Sequence, residues 1–342
     1  MIGGAGFVGS NLVKTLLQSH PKEIVIIDNL LSSERTNVPR LPEITFVEGS
    51  IVDDKILNRL KDDFHFVFHL ATYHGNQNSI CDPMANHENN TLTTLKLYER
   101  IKGFKEIEKV VYASAGCSMA LKTLGEAKAT AEDAPLSLYQ DSPYQISKII
   151  GEFYSNYYYQ QYHLPIVRAR FQNVYGPGEI LGAGKWRGTS ATVWRNVTPT
   201  FIYRGLKQWP LIVENEGMAT RDFIYVDDIV KGLMLCATVG VPGEVYNLAS
   251  GKETSILDLA TLIKRLTGNT NPIQYGPKRD WDRSSRRFGS TAKSKRELGF
   301  EAKTSLNEGL DQTIGWTRQN LSLIEACVQK HARHMSLYRD GE

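Results

Sequence analysis

The segment Gly3-Gly4-Ala5-Gly6-Phe7-Val8-Gly9 constrains this chain more than any other. From Gly4 it reads G-x-G-x-x-G, and Gly3 adds G-x-x-G-x-x-G spacing. Glycine lets backbone amides approach an anion with no side chain in the way, and the helix that follows offers its positive end to that charge. Such a turn needs a strand feeding it, yet only Met1 and Ile2 precede it. Either an abnormally short first strand or a late start is therefore expected. Downstream, the apolar run 24–27 ends in Asp28, about 20 residues beyond the last glycine, where a dinucleotide site places its acidic residue. A carboxylate there accepts hydrogen bonds from ribose hydroxyls and repels a 2′-phosphate. No Arg follows Asp28 immediately. NAD, rather than NADP, is the expected cofactor.

The remainder of the first half supports such a fold. Residues 24–28, 44–48, 64–70, 110–113 and 166–170 read as short strands whose apolar residues run on without alternation, as in a parallel sheet covered on both faces. Helical patterns at 10–19, 89–100 and 144–162 lie between them. This alternation predicts an α/β fold: a Rossmann-type doubly wound parallel sheet with a smaller C-terminal α/β substrate-binding lobe. The expected division is 1–175 with parts of 222–250 for the cofactor domain, 176–221 and 251–317 for the substrate lobe, and 318–342 as a helical extension. Residues 176–194 read as a long functional loop, and 198–205, 255–267 and 306–317 as helices.

With 40 basic and 37 acidic residues intermixed in 342, the net charge is only +3, which argues against a nucleic-acid or membrane-surface protein. No apolar run approaches the roughly 18 residues of a membrane helix. No basic segment leads into an apolar run at the N-terminus, so a cytoplasmic location is expected. The four cysteines, Cys81, Cys117, Cys236 and Cys327, form no Cys-x-x-Cys pair, and no metal site is expected.

Tyr144-Gln145-Ile146-Ser147-Lys148 opens a helix with its Tyr and Lys at i and i+4 on one face. A neighbouring cation favours the phenolate, so Tyr144 is expected to act as a base near neutral pH. Alone, the pattern also describes an ordinary solvated helix face. Its place after the strand 110–113 of a dinucleotide fold gives it catalytic meaning.

At this point the chain resembles an extended short-chain dehydrogenase/reductase of the NAD-dependent nucleotide-sugar epimerase and dehydratase type. The likeness runs to about Trp316. It is carried by the glycine segment, Asp28-Asn29-Leu30, His69-Leu70-Ala71, Asp82-Pro83 with Asn90 and Thr94, and the Tyr144–Lys148 pair. Arg170 to Pro177, Arg221 to Asp228, Tyr246-Asn247-Leu248-Ala249 and Leu298-Gly299-Phe300 continue it. The resemblance implies that Gly3, Gly6, Phe7, Val8, Gly9, Asp28, Asn29, Ser50, Ile51, Leu70, Ala71, Thr72 and Asn90 meet the cofactor, together with Tyr144 and Lys148. Ile51, Leu70 and Ala71 would line the adenine and ribose pocket, and Ser50 stands where the family usually has Asp. Asn173, Asn196 and Val197 would meet the sugar-diphosphate, and Arg221, Arg279 and Asp282 the diphosphate and nucleoside ribose. Arg283, Arg286 and Arg287 are expected to face solvent.

The segment after the strand 110–113 departs from the family. Ala115 stands where relatives carry a Ser or Thr that hydrogen-bonds the reacting hydroxyl, so Ser114 or a water is expected to substitute. Gly116 and Cys117 occupy the positions of the Asp and Glu of 4,6-dehydratases. Cys117 instead resembles the cysteine of GDP-mannose 3,5-epimerase, which removes a proton next to a transient ketone; a small buried residue is the bland alternative. Lys185 or His74 would supply the second acid. The reading is an NAD-dependent epimerase of nucleotide-diphosphate sugars that works through a 4-keto sugar, with Tyr144, Lys148, Ser114 and Cys117 as the catalytic set. A dehydratase or decarboxylase of the same family is the first alternative, and a non-catalytic cofactor-sensing regulator on the same fold the second. A homodimer is expected, because the helices at 89–100 and 144–162 are apolar on more than one face and Tyr157-Tyr158-Tyr159 adds aromatic area.

Overall fold

The computed structural model describes residues 1–116, 128–279, 282 and 286–339. The glycine turn leads directly into helix α1 (Phe7–Leu17). Strands β1 (Ile24–Asp28) and β2 (Ile44–Glu48) pair in parallel. Strands β3 (Phe66–His69), β4 (Lys109–Ala115) and β5 (Ile166–Phe171), with the strand Val245–Leu248, form a parallel run of four in spatial order. Ile2 joins the two sets, bridging in parallel to Ile27 on one side and His69 on the other. Its N–H donates to the Phe68 carbonyl at 2.9 Å, and its carbonyl accepts from Leu70 at 2.9 Å. One residue thus stands where a complete central strand would stand. The chain winds outward from it in both directions, through β1 and β2 one way and β3 to β5 the other. In an open α/β sheet, that reversal creates the crevice in which ligands bind.

The expected doubly wound α/β sheet is thereby found. The continuous apolar runs are buried because helices cover both faces: Val111, Val167, Ala169 and Leu12 share one core, and Val110, Ile166, Leu97 and Tyr158 another. The helix expected at 89–100 begins as a wide π turn, His87–Leu92, before becoming α-helical at Thr93–Ile101. The helix Pro143–Tyr162 starts where its sequence dictates. The Ser142 hydroxyl accepts from the Gln145 N–H at 3.4 Å, and Pro143 fills the first turn, where its missing N–H costs nothing.

A third core gathers Phe201, Ile202, Val213, Leu259, Ile263 and Leu310 around the helices Val197–Leu206, Ile256–Thr267 and Leu306–Gln319. The helix Leu321–Gln329 sets Ile324 and Cys327 against Ile180, Leu181 and Ala183 of the long loop. Beside them Glu34 accepts from the Gly184 N–H at 2.9 Å and from the Lys330 ammonium. No helix among the described residues is long and apolar enough to cross a membrane.

Candidate active site

A cavity of roughly 710 Å³ lies at the carboxyl ends of the parallel strands, between the main sheet and the third core. The glycine turn forms one end. A Cβ on Gly9 would stand 2.3 Å from the Gly3 carbonyl oxygen, and one on Gly3, held at φ +87°, would stand 2.5 Å from the Ala71 nitrogen. Only glycine permits this approach of backbone to backbone. Gly6 gives α1 no side-chain cap, so the positive helix end is left for a ligand. Asp28, at the tip of β1, accepts from Ala5 N–H at 3.0 Å, Leu30 N–H at 2.9 Å and the Ser33 hydroxyl at 3.1 Å. Burial raises its pKa above the usual carboxylate value despite these bonds. Phe7, Val8, Asn29, Ser50, Ile51, Leu70, Ala71 and Thr72 also line this end. A bare helix end, a cradle that any Cβ would fill and a carboxylate one strand away together fit a dinucleotide.

Asn90 is buried and is not among the residues that line the cavity. Its carbonyl accepts from Tyr73 N–H at 2.6 Å and the Thr72 hydroxyl at 3.1 Å, while its amide donates to Asn86 at 2.8 Å and Ser147 at 3.0 Å. It is a buried strut that ties the loop after β3 to the helix Pro143–Tyr162.

Tyr144 and Lys148 face the middle of the cavity. The Lys148 ammonium donates to the Ala113 carbonyl at 2.9 Å and sits 5.9 Å from the centroid of the Tyr144 ring. Burial pushes Tyr144 up to about 12 and holds Lys148 down to about 7. In the free protein, desolvation of the phenolate outweighs the neighbouring ammonium, which is turned toward a carbonyl. Ser114 lines the cavity, and its hydroxyl donates to Glu152 at 2.5 Å. Cys117 lies outside the described residues.

The far end is cationic. Arg221 donates to Asp282 at 2.8 Å, and Arg279 pairs with Glu214. Asn173, Asn196 and Val197 line the same end, with Val197 opening its helix and Asn196 donating to Glu179. Burial pushes Glu179 up to about 7. Arg287, expected in solvent, instead lines the cavity and bridges Asp141 at 3.3 Å and Asp282 at 3.4 Å. Arg286 pairs with Glu253 at an exposed position, as expected, and Arg283 lies outside the described residues. No periodicity in this loop distinguishes Arg287 from its neighbours, so sequence reasoning missed it. Glu179 was missed because nothing in Pro177-Gly178-Glu179 signals burial. Of the two candidate second acids, Lys185 is exposed and away from the cavity, whereas His74 lines it.

A cavity with a dinucleotide cradle, a Tyr and Lys pair and an arginine-lined end defines a class, and comparison with known proteins agrees. The chain belongs to the NAD dependent epimerase/dehydratase family, whose model matches residues 1–249. Among solved structures it is similar to the Bordetella bronchiseptica enzyme WbmF in complex with NAD+ and UDP, at 58% identity and a TM-score of 0.88, covering 98% of this chain and 96% of that one. It is similar to a Thermotoga maritima UDP-glucose 4-epimerase with UDP-glucose, at 29% identity and a TM-score of 0.83, covering 94% of this chain and 98% of that one. A curated relative, the UDP-glucose 4-epimerase of Mycolicibacterium smegmatis, is 30% identical over 322 residues, 92% of this chain and 97% of that protein.

Proposed function

We propose that the protein is an NAD-dependent epimerase of a UDP-linked sugar that works through a transient 4-keto intermediate. The observation that carries this reading is the order of parts in one cavity: glycine cradle, then Tyr144 and Lys148, then the arginine-lined end. Relatives with UDP or UDP-glucose bound support uridine as the base. Arg221, Arg279 and Arg287 hold the diphosphate, with guanidinium forks matched to phosphate oxygens, and Asn196 and the end of the helix Val197–Leu206 assist. Tyr144 takes the proton of the C4 hydroxyl and later returns it. Lys148 holds positive charge beside the phenol and so favours its ionised form. Bound NAD supplies the hydride acceptor and donor. Residues 1–175 with parts of 222–250 form the cofactor domain in this reading, and 176–221 with 251–317 the sugar-nucleotide lobe.

The test is incubation with a panel of UDP-sugars in deuterated water, read by mass spectrometry and proton NMR. An epimer of unchanged formula supports the reading. Loss of water or carbon dioxide would instead assign a dehydratase or decarboxylase, and failure of every sugar to reduce bound NAD a non-catalytic regulator. Deuterium at C3 or C5 that disappears in Cys117→Ala would give Cys117 the proton-abstracting role, whereas a plain C4 epimerisation leaves it as packing.

Asp28 carries a separate expectation. Calorimetric titration is expected to give tighter binding of NAD than of NADP, and Asp28→Ala is expected to narrow that gap by relieving repulsion of the 2′-phosphate. Tighter NADP binding by the wild-type protein would reverse the assignment.

The homodimer is also part of this proposal. Ile146, Phe153 and Tyr157 are exposed along one stripe of the helix Pro143–Tyr162, at spacings of seven and four. Tyr162 extends that stripe, and Ile80 and Met84 are exposed nearby in sequence to the neighbouring helices. An apolar stripe of this kind suits a second copy of the same helix. Light scattering at micromolar concentration is expected to give twice the mass of the chain; a monomer mass would contradict this.

A further inference from the structure

His74 lines the cavity beside Tyr144, with the two ring centroids 5.8 Å apart and the rings edge to face. Its imidazole has no hydrogen-bond partner among the described residues, although its backbone carbonyl is held by Arg187 at 2.9 Å. The loop that carries it is tied down on all sides. Tyr73 N–H donates to Asn90, Ser142 donates to Asn76 at 2.9 Å, and Thr189 donates to Asn78 at 2.6 Å. The Tyr144 N–H itself donates to Ser79 at 3.1 Å, so the two side chains are fixed relative to each other. A ring on a loop held this firmly, lining a ligand cavity and without a hydrogen-bond partner among the described residues, is placed to meet something that enters the cavity.

The charge around the ring decides what that is. Burial and the cations of Arg187, Arg195 and Lys148 hold the imidazole down to about 3, so it is neutral at physiological pH. A neutral imidazole offers one N–H donor and one lone pair. A sugar hydroxyl, which both donates and accepts, complements either nitrogen. A single hexose ring whose C4 hydroxyl lies at Tyr144 places a neighbouring hydroxyl within reach of His74.

We propose that His74 is a second substrate-contacting residue, whose imidazole hydrogen-bonds a sugar hydroxyl adjacent to the one that Tyr144 deprotonates and so orients the ring for hydride transfer. This rests on the epimerase reading above. Arg187 is the positioning residue behind it. Its guanidinium is buried, makes no ion pair among the described residues, and lies 5.7 Å over the Tyr73 ring while gripping the His74 carbonyl. A cation in that place keeps the imidazole unprotonated and the loop closed, so the hydrogen bond is available throughout turnover.

The test uses the whole enzyme with NAD, with UDP-glucose, UDP-galactose and UDP as probes. His74→Phe keeps the ring and removes both nitrogens. It is expected to leave UDP and NAD affinity unchanged while lowering kcat/KM for the UDP-hexose by about ten- to a hundredfold, the loss typical of an unmade hydrogen bond in a buried site. His74→Asn and His74→Gln each restore one nitrogen, and at least one of them is expected to recover most of that loss. Unchanged kcat/KM in His74→Phe overturns the proposal. So does an equal loss of UDP affinity, which marks a merely structural role, and so does failure of both Asn and Gln to exceed Phe. If the wild-type enzyme binds UDP but turns over no UDP-hexose, the epimerase reading itself fails; if it turns over a UDP-hexose and His74→Phe does so equally well, only the role of His74 falls.

Discussion

Tyr144→Phe is expected to lower kcat by about 10²- to 10⁴-fold, the range contributed by a positioned acid or base, while NAD affinity stays within a few-fold. The phenol stands in the middle of the cavity and the glycine cradle at its end, so loss of one oxygen leaves the cofactor's anchors intact. Burial makes the ionised phenol costly in the free protein, as the rise to about 12 indicates. The chain therefore keeps Tyr144 protonated until positive charge accumulates around it, and Lys148 supplies part of that charge. The decisive measurement is single-turnover reduction of bound NAD by a UDP-hexose, because it isolates proton and hydride removal from product release. Wild-type turnover in the variant would remove Tyr144 from the mechanism.

The second large effect is on stability. Glu152→Ala is expected to destabilise the protein by about 3–5 kcal/mol, the loss typical when one partner of a buried ion pair is deleted. Glu152 grips Arg170 twice, at 2.8 Å from both Nε and the terminal nitrogen, and takes the Ser114 hydroxyl at 2.5 Å. Both partners of the ion pair are buried. Without the carboxylate, a buried guanidinium on β5 would lose its ion-pair partner beneath the site and keep only its bond to the Glu132 carbonyl and the more distant charge of Glu132. Glu152 also continues the helix face of Tyr144 and Lys148 at the next i+4 step, so it fastens the catalytic helix to β4 and β5. Urea unfolding read by circular dichroism provides the check: a fall in midpoint at unchanged slope is expected, and a loss below about 1 kcal/mol would show that the network is dispensable.

What could be read from the sequence divides along physical lines. The runs 24–28 and 44–48 were legible as strands because each sets β-branched and aromatic residues in one short continuous segment. The glycine turn and Asp28 were legible because their roles depend on backbone approach and on one charge at a fixed distance along the chain. The bond from Ser114 to Glu152 was not legible, because the two lie 38 residues apart and only folding brings them together. The bracing bonds of Asn90 were not legible, because facing a ligand and bracing a loop call for the same amide. Arg287 was misread because side-chain direction in a loop has no period. The upward shift of Tyr144 and the downward shift of His74 were illegible, since the first is set by burial and the second by burial and by arginines distant in sequence.

Glu34 has a consequence for how the molecule is made. It follows the cofactor-binding strand β1, yet its carboxylate is completed by Gly184 of the long loop and by Lys330 near the C-terminus. A chain emerging from the ribosome presents the glycine turn and the Tyr144 helix early, whereas the wall that carries Ala183, Trp194 and Arg195, braced on one side by the bond from Arg195 to the Ser32 carbonyl, is packed on its other side only when the last helices are out. N-terminal parts of large chains fold first during synthesis. The nascent protein thus gains its cofactor cradle before this wall is fully packed, and premature termination ahead of Leu321 would release a chain with the cradle and without the side of that packing that Ile324 and Cys327 supply.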